Sequence, residues 1–233
     1  MELLSPPHLA VLGVTAALAV GLAAAARRDP SAPWVVRASR GLALVLVGNE
    51  VAFHALLLAR GDFSVRADLP LHLTDAATIA AAVALWRPVG LAFELTWFWG
   101  MTATVQALLT PDLMRGPEHY RFWWFAIAHS GVVVAAALLA WGRGLTPRPG
   151  AVPRVFACSV AVAGAAGVGS LATGGNYMFL RRPPSRPSLL DHLGPWPWYL
   201  LGAAALALAL FWLLDQPFRR RRRDARAAAG VGP

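Results

Sequence analysis

"ADLPLHLTDAATIAAAVALW", Ala67 to Trp86, sets a proline, His72, Thr74 and Asp75 ahead of an almost wholly apolar run that ends on tryptophan. Whether such a segment is a core helix of a soluble domain or a membrane span decides the fold. Its surroundings favour lipid. Of 233 residues 57% are apolar and 14% charged, with ten tryptophans, which lies outside the range of soluble domains. Further apolar runs cover 8–26, 34–58, 89–109, 122–141, 155–172 and 196–214, and the quoted segment supplies another over 69–86. Roughly 20 residues suffice to cross a bilayer. The expectation is an all-α, polytopic membrane protein built as a bundle of seven transmembrane helices. Residues 1–218 form its single domain, and a basic, disordered cytoplasmic tail occupies 219–233.

The first run lacks basic residues before it and carries Arg27 and Arg28 after it, so it reads as a retained anchor rather than a cleaved signal. The chain contains no lysine, and the side of the membrane richer in arginine is expected to be cytoplasmic. One side collects Arg27, Arg28, Arg37, Arg40, Arg87, Arg143, Arg148, Arg154, Arg219 to Arg223 and Arg226. The other holds Arg60, Arg66, Arg115, Arg121, Arg181, Arg182 and Arg186, half as many. This bias places the N-terminus outside and the C-terminus in the cytoplasm. The formal charge of +9 does not point to nucleic acid, because the run Arg219 to Arg223 follows directly on a span and reads as a topology signal and anionic-lipid anchor. Cys158 is the only cysteine, which excludes an intrachain disulfide and a multi-cysteine metal site.

Polar residues within the runs gather toward the outer side. Asn49, Glu50 and His54 lie there in the second run, His72, Thr74, Asp75 and Thr78 in the third, and Thr102, Thr104, Gln106 and Asp112 in or after the fourth. His129 and Ser130 open the fifth, and Asn176 and Tyr177 follow the sixth. Ionisable groups are costly in lipid and normally face a bundle interior or a wet cavity, so this convergence implies one outward-facing polar pocket. Glu50 and His54 stand four apart and His72 and Asp75 three apart, spacings that let a carboxylate share a helix face with an imidazole. Glu94, Asp215 and Gln216 fall toward the cytoplasmic side, where solvation or snorkelling suffices. In "GPWPWYLL", Trp196, Trp198 and Tyr199 read as an interfacial anchor.

Several stretches resemble the YwaF family of bacterial seven-span membrane proteins, which is distantly similar to eukaryotic transmembrane protein 164. They are "LPLHLTD" (Leu69 to Asp75), "FELTWFWGMTATVQALLTPDL" (Phe93 to Leu113), "FWWFAIAHSG" (Phe122 to Gly131), "GGNYMFLRRPP" (Gly174 to Pro184) and "SLLDHLGPWPWYLL" (Ser188 to Leu201). The resemblance implies a bacterial plasma-membrane location and lipid acyl chemistry through a cysteine and a histidine, with His129 matching the histidine. The cysteine does not carry over, since Leu71 precedes His72 and Thr74 stands where many bacterial relatives have cysteine. A covalent cysteine is therefore excluded at this site, leaving Thr74 as a hydroxyl nucleophile or a mechanism without one.

The expected function is lipid acyl transfer or lipid ester hydrolysis, with membrane lipids as partners. The expected catalytic residues are His129, His72, Thr74 and Asp75. Glu50, His54, Gln106, Asp112, Asn176 and Tyr177 line the substrate site, with Tyr177, Asn176 or Gln106 as oxyanion donors. Asp75 or Glu50 would orient the imidazole. The alternative is a transporter or a small-solute or ion-binding membrane protein. No cofactor is expected; the remaining reading puts a divalent metal among His54, His72, His129, Glu50 and Asp75, without a diagnostic ligand spacing.

Overall fold

The computed structural model describes residues 2–113 and 115–228. Every regular element among them is helical. The rods are α1 (Pro6–Ala26), α2 (Pro33–Arg60), α3 (Leu73–Trp86), α4 (90–109), α5 (Tyr120–Gly142), α6 (Ala151–Thr173) and α7 (Trp198–Ala228). Proline in the first turn starts α1 and α2, where its missing N–H removes no helical hydrogen bond. Left-handed glycines at Gly61 and Gly174 end α2 and α6. The rods match the apolar runs to within a few residues, except at two ends. The third begins at Leu73 rather than Leu69, and the basic segment expected to be a disordered tail continues α7 as helix from 219 to Ala228. Residues 229–233 lie outside the described residues.

Five rods, α1, α2, α5, α6 and α7, are long and apolar enough to cross a bilayer. They differ in what surrounds them: 78% of the apolar window of α5 is buried inside the protein, against 17–22% for the others. The bundle is therefore wrapped around α5. Burial of apolar surface gives little drive between helices already in lipid, so close approach of small residues does the work. Ala77, Ala80, Ala81 and Ala84 of α3 meet Val132, Ala135, Ala136 and Leu139 of α5, with Phe98 of α4 and Leu46 of α2 in the same core. Where α4 crosses α5 it widens into a π turn, Gly100–Thr104. A Cβ on Gly100 would come within 3.2 Å of Ala136 and 3.3 Å of Val132, so glycine sets the separation of these two rods.

Hydrogen bonds between rods finish the assembly. His8 Nδ1 accepts from the Leu4 amide at 2.9 Å, which leaves Nε2–H to donate to the Leu108 carbonyl at 2.8 Å, joining α1 to α4. Thr15 and Ser130 hydroxyls meet at 2.6 Å between α1 and α5, and Trp99 Nε1 donates to Ser159 Oγ at 2.8 Å between α4 and α6.

Glu94 and Asp215 correct the expectation that solvation or snorkelling suffices for them. Glu94 is fully buried and accepts from the Arg148 amide and guanidinium and from Arg154, at 2.8 to 3.2 Å. Asp215 is equally enclosed and pairs with Arg219 and Arg222, while Arg222 also donates to the Pro147 carbonyl. The connection between α5 and α6 is thus clamped to α4 on one side and to α7 on the other. Removing both arginines strands a buried charge, whereas neutralising the acid releases two guanidinium groups to solvent. Arg148→Ala with Arg154→Ala is therefore expected to lower the thermal midpoint in detergent by on the order of 5 °C or more, a larger drop than Glu94→Gln causes.

Candidate active site

The site forms at the other end of α3, where residues 61–72 form no regular element. Pro70 in this segment has no amide to donate. Side chains of the segment itself, of α2, of α5 and of the stretch after α6 hold it in place. Asp68, 6% exposed, accepts from Arg121 at 2.8 Å and from the Ser64 amide at 2.9 Å, and Arg121 lies over the Phe53 ring. His54 Nε2 faces the Asp68 carbonyl at 3.1 Å. The Tyr177 hydroxyl, carried on the segment after α6, donates to the Val65 carbonyl at 2.7 Å and accepts from the Leu69 amide at 3.1 Å. Burial pushes this phenol above its ordinary range, which keeps it a donor. The Tyr177 amide is in turn held by the fully buried Ser170 hydroxyl at 2.9 Å.

Fixed in this way, the segment delivers the first turn of α3 against α5. Asp75 reaches back to accept from the His72 amide at 2.7 Å, a helix cap that explains an aspartate so close to an apolar run. One residue before it, Thr74 Oγ1 stands 3.1 Å from His129 Nε2. The other ring nitrogen, His129 Nδ1, faces the Phe125 carbonyl at 2.9 Å. A carbonyl only accepts, so Nδ1 carries the ring proton and Nε2 offers its lone pair to the threonine hydroxyl. Phe125 also stacks on the imidazole with ring centroids 4.0 Å apart. His129 is 5% exposed and Thr74 more open. A hydroxyl, a base within hydrogen-bond reach and a third group that fixes the base make up a nucleophile-activating arrangement.

The remaining expected residues are placed differently from their assignments. Neither carboxylate orients an imidazole: Asp75 takes a backbone amide, and the Glu50 carboxylate accepts from Trp124 Nε1 at 3.2 Å. His54 Nδ1 faces the Glu50 carbonyl, not its side chain. The His72 ring lies edge-on to Tyr177. Gln106 donates to Thr110, Asp112 accepts from Ser185, and Asn176 binds its own loop through the Arg182 carbonyl and the Arg181 and Arg182 amides. Tyr177 gives its only hydroxyl hydrogen to Val65, while Gln106 and Asn176 each direct one of their two amide N–H donors to these partners. Among the described residues no group of three His, Cys, Asp or Glu side chains converges as a metal site requires. A surface cavity lined by Ser5, Pro7, Arg115, Phe122 and Arg186 includes neither Thr74 nor His129. Sequence reasoning passed over Asp68 and Arg121, whose separation of more than fifty residues gives no local signal.

Against known proteins, the model of the TMEM164 family matches residues 3–215. No curated protein and no solved structure matches. The matched span takes in α1 through the first half of α7, and with them every residue of the site. Tyr177→Phe removes the hydroxyl that bridges Val65 and Leu69, and is expected to cost about 1–2 kcal/mol. Hydrogen exchange at the Leu69 amide should then rise while amides in the middle of α5 stay protected.

Proposed function

The chain belongs to the TMEM164 family, and on that premise we propose that it performs acyl chemistry on membrane lipids, with Thr74 as nucleophile and His129 as its base. The observation that carries the reading is the 3.1 Å contact between Thr74 Oγ1 and the imidazole nitrogen whose lone pair is free because the other ring nitrogen faces the Phe125 carbonyl. A threonine hydroxyl is a weak nucleophile until a base takes its proton. As Oγ attacks the ester carbonyl, its proton passes to Nε2. The ester C–O bond then breaks, and the departing alkoxide recovers that proton from the imidazolium. Water or the hydroxyl of a lysolipid then attacks the acyl-threonine and gives its proton to His129 Nε2, the acyl–Oγ bond breaks, and Thr74 Oγ recovers the proton, leaving a free fatty acid or a new ester. Cys158 packs against the main core from α6.

The membrane arrangement belongs to the same proposal. All seven rods cross the bilayer, with α3 completed by the pinned segment ahead of it, and α4 reaching about 30 Å at 1.5 Å per residue. The twofold arginine bias supports an N-terminus outside and a C-terminus in the cytoplasm of a bacterial cell, which puts Thr74 and His129 in the outer half of the plasma membrane.

The test is mass-spectrometric lipid analysis of the purified protein in phosphatidylcholine bilayers supplied with a lysophospholipid. Appearance of new acyl compositions or free fatty acid is expected, with His129→Ala and Thr74→Ala each reducing it by about 10²-fold or more. Turnover that survives His129→Ala in a folded variant rejects the assignment.

A further inference from the structure

Acyl transfer at Thr74 needs a group that stabilises the oxygen of the attacked carbonyl, and Tyr177 already gives its only hydroxyl hydrogen to Val65. Thr78 is the candidate. It is 1% exposed, and its Oγ1 has no hydrogen-bond partner among the described residues. A hydroxyl in a helix has a standard internal partner, the carbonyl four residues earlier. Thr15, Thr96, Thr102, Ser159 and Thr173 all use it, at 2.6 to 2.8 Å. Thr78 does not use the Thr74 carbonyl in this way. Ser39 Oγ and Trp97 Nε1 are likewise buried without a partner among the described residues, but of the three only Thr78 stands one turn from Thr74 on the same rod.

Its position says which ligand. Residues four apart lie on nearly the same helix face, about 6 Å apart along the axis, and the Cα–Cβ bond leans toward the N-terminus. Thr78 therefore sits one turn deeper than Thr74 on its face and leans toward it, while Ile79 and Val83 are the residues of this stretch that face outward. We propose that Thr78 is a further substrate-contacting residue whose hydroxyl donates to the carbonyl oxygen of the acyl group attacked at Thr74. As the Thr74 Oγ–carbon bond forms, the C=O π pair moves onto that oxygen, and the Thr78 hydroxyl stabilises the charge. When the tetrahedral intermediate collapses, the pair returns and the leaving alkoxide takes its proton from His129. Thr78 keeps its own proton throughout. This inference rests on the acyl reading of Thr74 and His129.

Loss of an unpartnered buried hydroxyl and loss of a transition-state donor have opposite signatures. Thr78→Val keeps the shape and removes the hydroxyl, so the thermal midpoint should hold or rise, while kcat/KM for acyl turnover in phosphatidylcholine vesicles with lysophospholipid should fall about 10- to 100-fold. Thr78→Ser, which restores the donor, should stay within a few-fold of the native chain, and Thr78→Ala provides a second hydroxyl-free variant. Native turnover in both folded hydroxyl-free variants overturns the assignment of Thr78 alone. Equal losses in Thr78→Val and Thr78→Ser, together with lowered midpoints, assign it to packing and also overturn it. A native chain with no His129-dependent turnover removes the acyl reading and this inference with it.

Discussion

A polar group withdrawn from water must find a partner in the protein, and the connection between α2 and α3, which forms no regular element, is held by such pairings. Pro70 has no amide to donate. Tyr177 from beyond α6 and His54 from α2 meet backbone carbonyls of this connection, and Arg121 from the first turn of α5 pairs with the Asp68 carboxylate. Each of them constrains the point at which α3 begins. The 3.1 Å approach of Thr74 to His129 is a consequence of that register, since a shift of one residue would swing Thr74 by about 100° around the helix.

The same economy governs the opposite end of the bundle. Glu94 is fully buried, yet its two oxygens receive five N–H contacts from Arg148 and Arg154. Such a pair adds little net stability over an apolar isostere but is costly to break from one side, so it acts as a latch that specifies where the α5–α6 connection docks. Around α5 the alanine-rich faces of α3 and α5 and the glycine at the π turn of α4 allow rods to come close without bulky interdigitation. The bundle has hydrogen-bonded ends and a small-residue middle.

The polar groups divide by how locally they are satisfied. Asp75 was visible as an unusual aspartate at the head of an apolar run, and its partner is the backbone three residues away, a capping relation that spacing expresses. Glu50 was visible too, but its partner Trp124 lies on another rod, and pairing it with His54 by spacing alone named the wrong atoms. Glu94 was passed over as a residue for solvent because nothing local announces two arginines more than fifty positions away. In each case helix periodicity predicted which residues share a face, and the facing rod decided what they touch.

Hydropathy and proline spacing were enough to specify a helical membrane protein with its rods in nearly their observed places, because crossing lipid is a property of each segment's own composition. The motifs "LPLHLTD" and "AIAHSG" also singled out Thr74 and His129. That those two side chains meet was decided only by tertiary structure, whereas the carbonyl that fixes the imidazole, Phe125, stands four residues earlier on the same rod. Hydrogen bonds act over about 3 Å, and Thr74 and His129 are separated by 55 positions in the chain. Only the packing of rods brings them within reach.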